Sequence, residues 1–432
     1  MLEGVRGAPR RSGAPACSER YKHWDKNENP TRPERLGGWR RLMERLKKSL
    51  WLILLFVTFA AVGQGAELST HAQIAIITCG PSQAEVFLAF GHSAIRVYDP
   101  DNGIDDAYNY GVFDFNQPYF YLNYTRGLLL FKLGVYEYPE FVNSYASHNR
   151  WVTLQTLDLS QTQRQAVYNY LERNARPENE TYRYDYFYNN CSSKVRDVFQ
   201  EVLGDSIRFD GSYIKTHFTI RQLAGLYLKE QPWGRLGIDI CLGLPMDKKA
   251  TPYEYMFLPD FLESAFDHAF IRQNGIDVPI VKIKQPAYLS QPAAVPSSRI
   301  HPWVPFGGLF SIALALSGYD LRRRKISKWF DLILFSVTGL AGSLLIILWA
   351  ATDHAAAANN FNLLWALPSH LLAVLIYRQE SAAFLRKYFL GATALAALVL
   401  AGWSIVPQQL NVFLIPFVAA LLCRSFVVAR LL

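Results

Sequence analysis

The chain has 432 residues, half of them hydrophobic, with 44 Lys and Arg against 36 Asp and Glu for a net charge of +8. Residues 1–48 hold 13 Lys and Arg against 6 Asp and Glu, so seven of the eight excess charges belong to the N-terminus. The rest is near neutral, which removes the electrostatic footing for a nucleic-acid partner, and the length holds two domains with a core each.

Residues 1–42 are rich in Arg, Pro and Gly without periodicity and read as a disordered or mis-called leader. Met43 opens a basic stretch, Leu50–Val62 is a short apolar run, and small residues follow up to Ala66. Residues 43–66 therefore read as a secretory signal peptide; a short membrane anchor is the alternative, and either exports residue 67 onward. Cys79, Cys191 and Cys241 then fall in an oxidising compartment. Spacing does not set their connectivity; Cys79–Cys241, leaving Cys191 free, is the pairing expected. No Cys or His spacing suits zinc, so neither metal nor cofactor is expected.

Residues 67–284 read as an exported domain. Gln73–Cys79 is a strand ending in the turn Gly80-Pro81. A second strand starts at His92 and stops at the turn Asp99-Pro100-Asp101-Asn102-Gly103. Tyr108–Phe115 is an aromatic strand and Trp151–Leu159 an alternating one. Ser160 caps a helix with Gln163 at the capping-box position. Tyr182, Tyr184, Tyr186 and Tyr188 alternate as an aromatic strand would. A further helix begins at Cys191, carries Val195, Val198, Phe199 and Val202 on one face, and ends at Gly204. Strands first and helices later argue an α+β domain.

Residues 285–302, rich in Pro, Ser and Ala, read as a linker. Residues 303–432 hold five apolar runs near 303–319, 329–351, 361–377, 387–405 and 410–428, and read as an all-α five-helix transmembrane domain. Arg322–Lys325 with Lys328, then Arg378, Arg386 and Lys387, then Arg424 and Arg430 mark one side as cytoplasmic. The C-terminus is then cytoplasmic and the N-terminal domain outside, in agreement with the signal peptide. The loop with Thr352-Asp353-His354 and Asn359–Asn362 lies on the same side as Cys191.

The chemistry rests on Cys191 and His92. A thiol at a helix N-terminus meets unpaired N–H groups and a partial positive charge, which favour the thiolate. An imidazole about a hundred residues upstream is suited to take its proton. Asn109 and Asp114 are the candidates to orient that imidazole, with Glu85 a third. The backbone N–H of Cys191 or Ser192 would serve an oxyanion.

The order Phe90-Gly91-His92-Ser93-Ala94-Ile95-Arg96 and then Asn190-Cys191 resembles the permuted papain-like (NlpC-type) fold, an order that lecithin–retinol acyltransferase-like enzymes share. With Thr78-Cys79-Gly80-Pro81, Tyr108–Phe115, Tyr188–Asp197 and Asn359–Trp365, residues 70 to 428 resemble the Lnb-type bacterial lipoprotein N-acyltransferases. The resemblance implies an inner-membrane enzyme with its catalytic domain in the periplasm. It implies a phospholipid acyl donor, a Cys191 thioester, and a diacylated lipoprotein whose α-amine is the acceptor. Arg96, or Arg196, would then contact phosphate, and Asn190, Ser192, His354, Asn360 and Asn362 are candidate substrate contacts. The rival is a membrane-anchored cysteine peptidase or amidase acting on cell-wall peptides. It needs the same Cys and His but only one anchor.

Overall fold

The computed structural model describes residues 66–292, 300–376 and 382–432. The leader and nearly all of the signal-peptide assignment lie outside them. Among the described residues the strands are β1 (Gln73–Cys79), β2 (His92–Asp99), β3 (Ile104–Val112), β4 (Leu130–Glu137), β5 (Val152–Leu157), β6 (Thr181–Arg183), β7 (Ile207–Arg208), β8 (Phe270–Gln273), β9 (Ile276–Pro279) and β10 (Val281–Tyr288). The helices of the same part are α1 (Phe120–Thr125), α2 (Tyr138–Ala146), α3 (Gln161–Asn174), α4 (Cys191–Leu203), α5 (Ile220–Tyr227), α6 (Pro232–Cys241), α7 (Pro252–Tyr255) and α8 (Pro259–Asp267).

Seven strands pair antiparallel in the order β10-β5-β1-β2-β3-β4-β6, and β7-β8-β9 form a small second sheet. The central β1 and β2 are apolar and buried along most of their length, because helices cover both faces of the sheet. On one face Phe141 of α2 packs on Ala75, Ile77, Ala94, Val152 and Leu154. On the other, α4 buries Val195, Val198, Phe199 and Leu203, each contributing about 1.5–3 kcal/mol. Phe199 meets Phe266 of α8 edge-on at 5.3 Å. The expected caps are present: Ser160 and Gln163 form a capping box on α3, and Gly204 ends α4.

Two segments differ from the sequence reading. The aromatic strand stops at Val112, because Gly111 takes φ +95° and the β3–β4 register shifts there. The assigned linker begins too early: β10 carries the sheet to Tyr288, with Pro286 tolerated on an edge strand.

The membrane part holds α9 (Trp303–Arg323), α10 (Lys328–Ala350), α11 (Ser369–Ile376), α12 (Ala382–Ala401) and α13 (Ile415–Leu431). Among the described residues four helices are long and apolar enough to cross a membrane, and they correspond to the first, second, fourth and fifth runs. The third run is not one helix. It opens as a 3-10 turn at Phe361–Leu364 and becomes helical only at Ser369, after Pro368. From there α11 descends antiparallel along α10. The backbone of Ala366 lies against Gly342, Leu371 lies against Gly339, and His370 meets Phe335. Arg424 is also not a loop charge: it is fully buried, bonded to Asp320 and Asp331.

Ser69–Leu432 forms one unit. The loops that follow α10 and α12 reach the exported part directly. Asn360 Nδ2 donates to the Ile240 carbonyl at 2.7 Å, and Gln408 Nε2 to that of Leu242 at 3.0 Å. Asp353 N donates to the Arg126 carbonyl at 2.8 Å.

Candidate functional site

The site lies at the end of the sheet where β1 stops and β2 starts, with Cys79 opposite His92. Val152 begins β5 beside them, β3 ends nearby, and α4 starts above the other face. Asn190 caps α4: its Oδ1 accepts from Ser193 N at 2.9 Å, and Ser193 Oγ accepts from Asn190 N at 2.7 Å. Its amide also donates to the carbonyls of Phe257 and Tyr186. Asn190 therefore places the helix start, with one bond on Oδ1 and two from Nδ2. Ser192 is fully buried, with Oγ 2.9 Å from Ser93 Oγ on β2 and 3.8 Å from Cys191 Sγ.

That anchoring sets Cys191 as the first helical residue, buried to 7% exposure, against His92. His92 Nε2 lies 2.5 Å from Asn109 Oδ1, which leaves Nδ1 for the thiol. Burial pushes the Cys191 thiol up, but the charge and hydrogen bond of His92 outweigh it and bring it down to about 7. Burial pushes His92 down, and the Cys191 charge, its hydrogen bond and Asn109 carry it above the ordinary imidazole value. The arrangement sets a thiol beside an imidazole whose ring is held by an amide, the groups that nucleophilic attack on a carbonyl requires.

Of the three candidates to orient His92, the structure brings only Asn109 to it. Asp114 sits beyond the strand end, where its carboxylate accepts from Asn116 N in a turn. Glu85 caps the 3-10 turn Val86–Phe90, and its carbonyl meets Gln231. Cys79 and Cys241 are both unbonded, which corrects the expected disulfide. Cys79 closes β1 in the core, whereas Cys241 ends α6 at the junction with the membrane loops. Burial pushes the Cys79 thiol far up, so it stays protonated where Cys191 ionises.

Arg96 of β2 is paired with Asp105 of β3. Both carboxylate oxygens of Asp105 hold its guanidinium, at 2.6 and 2.9 Å, and Tyr138 of α2 covers it. Arg196 is held by Asp197 and the Tyr253 carbonyl. Asn360 and Asn362 are buried at the junction, and both donate to the Ile240 carbonyl at the end of α6. They join the two parts of the chain rather than face the dyad. His354 sits where the loop packs on Gly127, and among the described residues no hydrogen bond or ion pair joins it to Cys191 or His92.

Four further residues lie at the site, none of them named above as a site residue. Tyr145 stacks on His92 at 6.2 Å and 19°, and Arg150 lies over Tyr145 while donating to the Gly80 carbonyl. Tyr184 and Gly111 face the dyad. A Cβ on Gly111 would lie 3.6 Å from Cys191 Cβ, 3.6 Å from Tyr184 Cε2 and 3.9 Å from His92 Cε1. At φ +95° a side chain here would be strained, and it would lie against Cys191, Tyr184 and His92. Gly111→Val should therefore slow alkylation of Cys191 by iodoacetamide at least about tenfold, since a branched side chain strains this backbone by about 1–3 kcal/mol and would crowd Cys191 and His92. An unchanged alkylation rate would show that access runs elsewhere. Among the described residues no three His, Cys, Asp or Glu side chains cluster as a metal site.

Two family models match the chain: the Lnb N-terminal periplasmic domain over residues 73–225 and the Lnb transmembrane domain over residues 294–432. No curated protein and no solved structure matches it.

Proposed function

Because the chain belongs to the Lnb family of lipoprotein N-acyltransferases, we propose that it moves an acyl chain from a phospholipid, through a thioester on Cys191, to the α-amine of a diacylglyceryl-cysteine lipoprotein. The observation that carries this reading is a cysteine lowered to about 7 by His92, on a domain bonded directly to the loops of a membrane bundle. The order of His92 on β2 and Cys191 at the start of α4 supports a permuted papain-like arrangement. The exported domain stands outside the inner membrane, and the Arg322–Lys325 loop and the C-terminus are cytoplasmic.

In the first half-reaction the Cys191 thiolate attacks the ester carbonyl. The oxyanion accepts from N–H groups at the start of α4, which lack helical partners. As the tetrahedral adduct collapses, the C–O bond breaks and His92 gives its proton to the departing lysophospholipid oxygen. In the second, the lipoprotein amine attacks the thioester carbonyl, His92 takes the amine proton, and the thiolate leaves with an amide formed. Asn109 holds the ring through both exchanges.

Intact mass of the detergent-solubilised protein after incubation with phospholipid tests the first half. Wild type should gain an acyl-sized, hydroxylamine-sensitive mass that Cys191→Ala lacks. A freely alkylatable Cys191 with no adduct would favour a peptidase or amidase, and an inert Cys191 a non-catalytic domain.

A further inference from the structure

The loop between β3 and β4 carries an exposed aromatic and apolar face. From Phe115 to Thr125 it has no charged residue, with Asp114 before it and Arg126 after it. Phe115, Tyr119, Tyr121, Leu122 and Tyr124 are all exposed, Tyr119 and Tyr121 to 77% and 75%. So many apolar and aromatic side chains in one short exposed loop mark an interaction face.

Its position names the occupant. Arg126, directly after the exposed helix α1, accepts from Asp353 N of the membrane bundle, and Gly127 packs on the backbone of Asp353 and His354. Arg183 pairs with Asp353 at 3.1 Å beside it. The loop therefore adjoins the bundle at the level where α10 leaves the bilayer. Aromatic rings with polar tips at that level match a membrane–water interface.

The rings also lead inward. Phe120 meets Phe115 at 4.9 Å, Phe115 meets Phe113 at 4.9 Å, and Phe113 meets Phe131 at 5.5 Å. Phe131 meets Tyr184 at 4.3 Å, and Tyr184 and Cys191 both lie beside Gly111, each 3.6 Å from where its Cβ would be. An unbroken apolar ladder joins the exposed tip to the thiol.

We propose that the loop at residues 113–126 inserts into the outward-facing leaflet and that its ring ladder guides a lipid acyl chain to Cys191. The second half rests on the acyl-transfer reading; the insertion does not.

Spin labels separate the two. In the full chain with Cys17, Cys191, Cys241 and Cys423 replaced by Ser, a nitroxide at Tyr121→Cys is read in phosphatidylethanolamine–phosphatidylglycerol vesicles. It should collide preferentially with oxygen, as a label at Leu344 on the exposed face of α10 does. Preference for a water-soluble nickel chelate, as at exposed Glu178, overturns insertion. So does label–label broadening, which would show a second copy covering the loop.

The ladder is read in chains that keep Cys191. Tyr121→Asp with Leu122→Asp should lower the ratio of acylation by bilayer phospholipid to acylation by soluble p-nitrophenyl acetate about tenfold, the scale of losing an apolar anchor or two. An unchanged ratio, whether both rates hold or both fall, overturns guidance by the ladder. Failure of wild type with both esters would sink the acyl-transfer reading and leave the spin-label result standing.

Discussion

Replacing His92 with alanine should lower the rate of Cys191 acylation by about 10²- to 10⁴-fold at neutral pH, the usual contribution of a positioned acid–base group. Burial of the thiol opposes ionisation, and the charge and hydrogen bond of His92 are the main forces overcoming it. Without the imidazole the thiol moves up. In wild type the thiolate forms as pH rises through about 7, so acylation should climb across that pH. In His92→Ala the climb should move to higher pH, and part of the lost rate should return there. A variant whose pH profile matches wild type would remove His92 from the dyad. Asn109→Ala keeps both titrating groups, so it should reduce the rate less and leave the climb nearly in place.

Arg424→Met should destabilise the membrane bundle by about 3–5 kcal/mol, as expected when one partner of a buried ion pair is removed. Arg424 Nη2 bonds Asp320 at 2.7 Å and Asp331 at 2.9 Å, and Nε bonds Asp331 at 2.7 Å. Ser327 donates twice to Asp320 from the turn between α9 and α10. Methionine fills the space but leaves two carboxylates facing each other without a cation. Thermal unfolding in detergent reads the loss. Adding Asp320→Asn and Asp331→Asn to Arg424→Met should recover much of it, because the cost is uncompensated charge rather than lost packing. Equal unfolding temperatures for wild type and Arg424→Met would show that the trio contributes nothing to stability.

The elements that were legible are those whose signal is local. The Ser160 capping box, the start of α4 at Cys191 and its stop at Gly204 depend on neighbours a few residues away. That Cys191 and His92 would be neighbours could be expected because thiol, imidazole and helix start each carry their own chemistry. Misreadings came where partners are distant in sequence. Arg424 looked like a flanking charge because Asp320 and Asp331 are about a hundred positions upstream. Hydropathy gave 361–377 the weight of a helix, although Asn360 and Asn362 bond to the end of α6 and Pro368 delays the helix to Ser369. Oxidising surroundings favour a disulfide, but β1 and α6 place Cys79 and Cys241 in different parts of the fold. Gly111 was invisible as a site residue because an absent side chain leaves no pattern.

The polar junction between the two parts limits how the chain can be recombined. Arg221 donates to Asp239, Asp247 and the carbonyls of Leu242 and Gly243, while Asn411 donates to Asp239 and Asn362 to the carbonyls of Asp239 and Ile240. Gln408 donates to Leu242 and Asn360. Each half satisfies buried polar groups of the other, and an unmatched buried group costs about 1–3 kcal/mol. A chimera that takes its exported half from one family member and its bundle from another inherits half of that lock. It should assemble only where positions 221, 239 and 247 travel with 360, 362, 408 and 411. The two halves match separate domain models, yet neither satisfies its buried polar groups without the other.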